Sequence, residues 1–224
     1  MNQAIVLAAV LLASCGAMPP SNTRYLALGD SYTIGEGVGE DERWSSHLGR
    51  LLDGDGIRFT DVQLVAQTAW TADELADAID QARPKGPFDL VTLMVGVNDQ
   101  YRSRPVDVFA PEYELLLTRA IAFAGGAAGR VIAISIPDWG ATPFATGRDR
   151  SLIGREIDVY NTRSRELAQR AKVAWVDVTP ASRATLSEPA LVTADGLHPS
   201  GQMYARWAEL IAPVVRTALE GPAG

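Results

Sequence analysis

The residues best suited to chemistry are an aspartate and a histidine three positions apart near the end of the chain. Asp195 and His198 lie in the segment DGLHPS, and His198 is one of only two histidines in the sequence. A carboxylate held against an imidazole orients the ring and stabilises its protonated form, which is how a general base is built. The spacing therefore predicts a base, and the base needs a group whose proton it removes.

Ser31, in the segment GDSYT, is the candidate for that proton transfer. A serine hydroxyl is a weak nucleophile until a neighbouring base accepts its proton. Attack on a carbonyl carbon would create an oxyanion, which needs fixed donors at about 2.7–3.1 Å. The candidate donors are the backbone N–H groups of Ser31 and Ala69 and the side-chain amide of Asn98.

The pattern of strands and helices predicts how the chain brings these residues together. Short apolar runs predict strands at 24–30, 61–68, 88–96, 130–137 and 173–179. Helical spacing of apolar residues predicts helices at 42–52, 71–82, 111–124, 151–171 and 202–219. Five strands separated by helices indicate an α/β fold, a three-layer α/β/α sandwich around a five-stranded parallel sheet.

Each candidate residue follows a predicted strand. Ser31 comes after the first strand, Ala69 after the second, and Asn98 after the third, where we expect a loop. The segment DGLHPS follows the last strand, and we expect Pro199 and Ser200 to begin the final helix. Ligands of parallel sheets bind beyond the carboxyl ends of the strands, so all these residues should share one edge.

Together these motifs resemble those of the SGNH, or GDSL-type, hydrolase family. The family pattern is GDS, then a glycine after the second strand, then G-x-N-D, then D-x-x-H, and this chain follows it in order from Tyr25 onward. The resemblance implies a flavodoxin-like sheet and a carboxylic ester hydrolase acting through an acyl-serine intermediate. It implies that Ser31 is the nucleophile, that Asp195 and His198 complete the triad, and that Asn98 is an oxyanion donor.

Two positions depart from the family pattern, and the second of them supports one alternative function. Tyr32 replaces the leucine of GDSL, and Ala69 replaces the glycine, so a methyl group would disfavour a positive φ there. One alternative is a non-catalytic surface lipoprotein on the same fold. Another is an acyltransferase that uses the same triad. The ester itself stays open among small esters, acetylated carbohydrates and lysophospholipids.

Aromatic residues near the same edge are candidates for substrate binding. Trp139 and Phe144 lie in the long segment IPDWGATPFATG, while Trp70 and Tyr101 follow neighbouring strands. Ordinary packing beneath a loop is the alternative interpretation. Arg102 is either a contact for an anionic part of a substrate or a surface arginine.

Composition narrows the range of partners. The chain has 224 residues, a net charge of −7, one cysteine and two histidines. The negative charge disfavours nucleic acid, and so few cysteines and histidines disfavour a zinc site. No G-x-G-x-x-G or P-loop follows the first strand, which argues against a nucleotide cofactor. We therefore expect neither a cofactor nor a metal. We expect a monomer, with His47 serving packing alone.

The N-terminal segment predicts export. Residues 1–23 carry no charged side chain and include a ten-residue apolar run, 4–13, which is too short to span a bilayer. The following LASC resembles a lipoprotein signal, which implies cleavage before Cys15 and acylation of that cysteine. We therefore expect a signal and tether in 1–23, the hydrolase domain in 24–224, and a lipid-anchored protein of the cell envelope. A plain secretion signal, or merely an apolar N-terminus, is the alternative.

Overall fold

A five-stranded parallel sheet lies at the centre of the computed structural model, which describes residues 22–220. The strand order is β2-β1-β3-β4-β5, the flavodoxin-like order, so the predicted fold is confirmed. The strands are β1 Thr23–Gly29, β2 Phe59–Ala66, β3 Leu90–Met94, β4 Val131–Ile134 and β5 Ala174–Val176.

The apolar sequences of the inner strands match burial on both faces of the sheet. All five residues of β3, LVTLM, and all four of β4, VIAI, are buried. Strands covered by helices on both sides read as continuous apolar runs in this way. At the edge, β2 contains only one buried residue, Val65, and its sequence includes polar residues such as Asp61 and Gln63.

Helices cover both faces of the sheet. Helices α2 and α8 pack together, while α3, α5 and α6 pack side by side. The helices are α1 Ser31–Ile34, α2 Trp44–Asp53, α3 Ala72–Ala82, α4 Val97–Tyr101, α5 Val106–Phe123, α6 Arg150–Arg170, α7 Thr179–Ser182 and α8 Gly201–Glu220. Short 3₁₀ turns connect several of them, among them Trp139–Ala141 and Pro143–Ala145.

The starts of α5 and α8 differ from the sequence prediction, and α2 begins at Trp44 and not at residue 42. Helix α5 begins at Val106 and runs through Pro111, although proline has no backbone N–H to donate within the helix. The buried side chain of Phe109 packs the first turns of the helix onto the core. Helix α8 begins at Gly201, after Pro199 and Ser200. Pro199 instead forms an isolated bridge with Val192, which closes the preceding loop.

The register of the sheet aligns the carboxyl ends of its first three strands. Gly29, the last residue of β1, pairs with Ala66 at the end of β2 and with Met94 at the end of β3. The segments that leave these strands therefore start at the same height along the sheet. This alignment brings Ser31, Ala69 and Asn98 to one edge, although 67 positions separate the first from the last.

The predicted export signal lies outside this description. Cys15 and the rest of residues 1–21 are not among the described residues. Among the helices between residues 22 and 220, none combines the length and apolarity needed to cross a membrane.

Candidate active site

Ser31 is fixed by the junction between β1 and α1. Asp30 caps the helix, since its Oδ1 accepts a hydrogen bond of 3.0 Å from the Tyr32 backbone N–H. Ser31 is thus the first residue of α1, and it is only 4% exposed. Within residues 22–220, no hydrogen bond engages the Ser31 backbone N–H, so this group is free to donate to a ligand.

A chain of two hydrogen bonds joins Ser31 to the far end of the sequence. His198 Nε2 lies 3.1 Å from Ser31 Oγ, and His198 Nδ1 lies 2.6 Å from Asp195 Oδ2. His198 is 8% exposed and its ring contacts that of Tyr32, with centroids 5.5 Å apart. The structure thus brings together the three residues of the predicted triad, with geometry suited to proton transfer.

The loop around Asp195 holds the carboxylate in place. Its Oδ1 accepts from the backbone N–H groups of Leu197 and His198, at 2.8 and 3.0 Å, and from Thr193 Oγ1 at 2.7 Å. Partial burial alone would raise the pKa of Asp195. The bonds from the His198 ring, Leu197 and Thr193 outweigh it and hold that pKa well below its usual value. Thr193 was not predicted, and its position two residues before Asp195 is the only sequence signal.

Ala69 occupies the third position of a tight turn. The Trp70 N–H donates to the Gln67 carbonyl at 3.3 Å, and Ala69 has a φ of +69° whereas Thr68 has no positive φ. This combination is typical of a type II turn, whose third residue is usually glycine. The conformation costs an alanine about 1 kcal/mol more than a glycine. No hydrogen bond among residues 22–220 uses the Ala69 N–H.

Asn98 lies in helix α4 and not in the predicted loop. Gly96 makes this immediate turn from strand to helix possible, because its φ is +126° and an added Cβ would meet the Phe109 ring at 2.9 Å. Asn98 Nδ2 donates to the Trp70 carbonyl at 2.9 Å. An amide nitrogen carries two hydrogens, so one is left to donate to an oxyanion.

Asp99 serves the structure beside this donor. Its Oδ2 accepts from the Ala72 N–H at 3.0 Å, and its Oδ1 pairs with Arg104 at 2.5 Å. Burial raises the pKa of Asp99 to about 6, although the Ala72 N–H and Arg104 oppose the shift. Arg104 also pairs with Asp73 and Glu112, so a guanidinium provides the positive charge among these three carboxylates.

A cavity of about 200 Å³ opens next to the Ser31 hydroxyl. It is lined by Ser31, Tyr32, Thr68, Ala69, Val97, Asn98, Tyr101, Trp139, Phe144, Leu197 and His198. Three of the four predicted substrate-binding aromatics, Tyr101, Trp139 and Phe144, therefore lie where expected. Arg148 covers this aromatic wall, with its guanidinium 5.3–5.4 Å from all three ring centroids.

Trp70, which was also predicted to bind substrate, does not line this cavity. Its side chain is half-buried against the hydrophobic core, and its contribution to the site is the carbonyl that binds Asn98. The tight turn reverses the chain at this point, so the tryptophan and the preceding Ala69 face different surroundings. His47 also lies away from the cavity, where its Nδ1 contacts Arg50 at 3.0 Å within α2.

The sequence pattern and the site geometry agree with a match to a known family. The model of the GDSL-like lipase/acylhydrolase family matches residues 27–206. The chain belongs to this family. As a GDSL-type hydrolase it falls among the enzymes that cleave carboxylic esters. The matched region includes all residues of the Asp195–His198–Ser31 chain.

Solved structures with the same fold share little sequence with this GDSL hydrolase. TesA has a TM-score of 0.69 at 19% identity, covering 88% of this chain and 99% of its own. A lipolytic G-D-S-L protein from Veillonella parvula has a TM-score of 0.66 at 17% identity, with 86% and 98% covered. Axe2, an acetylxylan esterase from Geobacillus stearothermophilus, has a TM-score of 0.63 at 18% identity, and the match covers 88% of this chain and 94% of Axe2. Among curated proteins, none matches the sequence.

Asp30, directly before Ser31, is a carboxylic acid in an environment that disfavours its charged form. It is fully buried, and its Oδ2 has no hydrogen-bond partner among the described residues. Burial raises the pKa of Asp30 to about 7, partly opposed by the Tyr32 N–H and reinforced by the charge of Asp99. Asp30 therefore keeps its proton in the folded protein at pH values where the unfolded chain releases it.

This raised pKa makes the stability of the GDSL hydrolase depend on pH. In the unfolded chain Asp30 ionises near 3.8, and in the folded protein near 7, so the protonated side chain stabilises the fold at low pH. That contribution is lost as pH rises towards 7. We expect Asp30→Asn, which keeps an oxygen to cap α1, to remove this loss. We compare the free energies of unfolding of the variant and the wild type by urea unfolding. From pH 5 to pH 8, the difference between them should change by about 2–3 kcal/mol in favour of the variant.

Asp149→Asn is the matched control for this experiment. Asp149 caps helix α6 through the Leu152 N–H at 2.9 Å, but it lies exposed on the surface. We expect this variant to follow the wild-type pH dependence. An Asp30→Asn variant with the same pH dependence as wild type would show that the buried carboxyl does not titrate as described.

Proposed function

We propose that this GDSL hydrolase is a serine esterase that forms an acyl-Ser31 intermediate. The observation that carries the proposal is the continuous hydrogen-bond chain from Asp195 through His198 to the Ser31 hydroxyl. His198 Nε2 accepts the Ser31 proton as Oγ attacks the ester carbonyl carbon. The imidazolium that forms is stabilised by Asp195, whose low pKa keeps it ionised.

The attack places a negative charge on the former carbonyl oxygen. Three donors lie around the cavity to receive it: the N–H groups of Ser31 and Ala69 and the free amide hydrogen of Asn98. Donors that are already fixed stabilise this charge without reorganising as it develops. The intermediate collapses when protonated His198 gives its proton to the leaving alcohol oxygen, and the C–O bond of the ester breaks.

A water molecule then completes the reaction by the same steps in reverse. Neutral His198 removes a proton from the water, and the hydroxyl oxygen attacks the acyl carbon. The bond to Ser31 Oγ breaks, and Oγ takes the proton back from His198. The products are a carboxylic acid and the regenerated enzyme. Every proton in this cycle is carried by side chains of the chain itself.

We further propose that the acyl group is short. The cavity of about 200 Å³ is smaller than the 300–1,000 Å³ that is common for ligand pockets. Its wall is largely apolar and aromatic, which suits an acetyl to butyryl group. The similar fold of Axe2, described as an acetylxylan esterase, supports an acetyl ester of this kind, including an acetylated carbohydrate.

Replacing Ser31 tests the nucleophile directly. We expect Ser31→Ala to lower kcat for p-nitrophenyl acetate by at least about 10⁴-fold, because the covalent intermediate can no longer form. The thermal midpoint should stay within a few degrees, since one buried hydroxyl is removed and no packing atom is added. A fluorophosphonate probe should label the wild type and not the variant.

Ser45→Ala is the matched control for the nucleophile. Ser45 is also a buried serine, 6% exposed, but it lies in α2 and does not line the cavity. We expect this variant to keep its activity and labelling. Undiminished hydrolysis by Ser31→Ala would remove Ser31 from the mechanism. Adding an alcohol to the wild-type reaction and finding a new ester as the main product would favour acyl transfer over hydrolysis.

The size of the cavity predicts a preference for chain length. We expect kcat/KM to fall at least about tenfold from butyryl to palmitoyl p-nitrophenyl esters, because the longer chain does not fit. Phe144→Ala removes a ring from the wall and should raise the octanoyl-to-acetyl ratio several-fold. Leu186→Ala removes an apolar side chain that is 65% exposed and outside the cavity, so it should leave the ratio unchanged. A wild-type preference for palmitoyl esters would contradict the assignment.

For the N-terminus, we propose export and acylation of Cys15. The ten-residue apolar run and the LASC segment support this proposal. Full-length protein expressed in a bacterial host with an alkyne fatty acid should become labelled, and Cys15→Ala should lose the label. Ser14→Ala, which keeps a small residue beside the cysteine, should retain it. An unlabelled wild type would leave a plain secretion signal as the better explanation.

A further inference from the structure

We infer that Arg102 is a positioning residue that holds the Ala69 oxyanion donor in place, an inference that rests on the proposed esterase function. Arg102 Nη2 donates to the Ala69 carbonyl at 2.6 Å. Arg102 Nη1 donates to Glu74 Oε1 at 3.1 Å. The guanidinium therefore contacts the turn that carries the donor, a role that neither interpretation from the sequence, a substrate contact or a surface arginine, anticipated.

Helix α4 and Arg102, the residue that follows it, hold this turn at two adjacent carbonyl groups. Arg102 binds the carbonyl of Ala69, and Asn98 binds the carbonyl of Trp70. The Arg102 backbone N–H also donates to the Asn98 carbonyl at 3.0 Å, so both side chains project from one turn of backbone. These contacts set the spacing between the two donors, the Ala69 N–H and the Asn98 amide.

The turn needs this support because polar contacts, and not packing, hold it. Besides Arg102 and Asn98, Glu36 accepts a hydrogen bond from Thr68 Oγ1, but no contact other than that of Arg102 reaches the Ala69 carbonyl among residues 22–220. Gln67, Thr68 and Ala69 are all exposed, so packing contributes little to their position. Ala69 also carries the cost of a positive φ, which glycine would avoid. An alanine at this place in a turn prefers a φ near −90°, the type I form. The change of φ rotates the Thr68–Ala69 peptide and turns the Ala69 N–H away from the position of the oxyanion.

Arg102 is itself oriented by the start of helix α3. Glu74 Oε1 accepts from Arg102, while Glu74 Oε2 accepts from the Thr71 backbone N–H at 2.9 Å in the capping box. The Arg102 and Glu74 side chains are 44% and 41% exposed, so this ion pair adds little to stability. The contribution of Arg102 should therefore be visible in kcat and nearly absent from the thermal midpoint.

Arg102→Ala tests the inference with p-nitrophenyl acetate as substrate. Complete loss of one oxyanion donor lowers kcat by about 10²–10³-fold, and a donor that is only displaced part of the time should cost less. We expect kcat to fall about tenfold, KM to change less than about twofold and the thermal midpoint to shift by no more than a few degrees. If Arg102→Ala does not fold, Arg102→Gln is measured in its place.

Arg119→Ala is the matched control. Arg119 Nη1 donates to the Ala76 carbonyl at 2.8 Å and pairs with the Asp80 carboxylate. Like Arg102, Arg119 therefore binds one backbone carbonyl and one carboxylate, and both of its partners lie in α3. It does not contact the turn at Ala69. We expect its kcat to equal that of the wild type. Equal losses in the two variants would show a general effect on α3 and would overturn the inference.

Ala69→Gly supplies the readout that a merely structural role would not change. Glycine adopts the positive φ without cost, so the turn should hold its shape without Arg102. We expect Arg102→Ala to lower kcat by less than about threefold in the Ala69→Gly background. A loss that is the same in both backgrounds would overturn the inference. A wild type that neither hydrolyses esters nor reacts with a fluorophosphonate would instead refute the proposed function.

Discussion

The hydrogen bond between His198 Nε2 and Ser31 Oγ is the contact on which the site depends. It joins residues 167 positions apart, and no local structure can form it. The parallel sheet makes it possible, because the register aligns the ends of β1, β2 and β3 and the loop before α8 returns to the same edge. The fold thus holds the Ser31 hydroxyl oxygen 3.1 Å from His198 Nε2.

The site combines rigid and weakly held parts. Ser31 and His198 are buried, and Asp195 is held by four hydrogen bonds from its own loop and the His198 ring. The turn at Ala69 is exposed and has an unfavourable backbone conformation, so its position depends on polar contacts from Asn98, Arg102 and Glu36. Asp30 adds a further cost, since a carboxyl group is buried there with one oxygen unpartnered among the described residues. Departures from ideal stability are common where a chain must present reactive groups.

The sequence was sufficient for the residues whose roles depend on motif and strand position. Ser31 could be predicted because it directly follows β1, and Asp195 and His198 because of their spacing and their place between the last strand and the last helix. The carboxyl ends of parallel strands meet at one edge, which predicts that these residues lie together. The direction of the Trp70 side chain could not be predicted. It depends on a tight turn that usually contains glycine, and the alanine at position 69 gives no sign of that turn in the sequence. The contacts of Arg102 could not be predicted either, because no sequence pattern indicates which distant residues an exposed arginine binds.

Helix boundaries failed for a related reason. Pro111 suggested a helix start, but burial of Phe109 extends α5 through it, and burial of this kind depends on contacts with distant parts of the chain. Asn98 followed a strand and was expected in a loop, while Gly96 lets the backbone enter a helix at once. In both cases tertiary packing or one unusual φ decided a feature that local preference predicted differently.

The packing of α8 against α2 has a consequence for biosynthesis. Helix α8 and His198 leave the ribosome after the whole sheet, so a nascent chain that has already made Ser31 still lacks both its base and the helix that covers one face of the sheet. Under the proposed mechanism, such a chain has a hydroxyl with no base to activate it. Hydrolysis by Ser31 would then begin only after α8 has been made and has packed against α2.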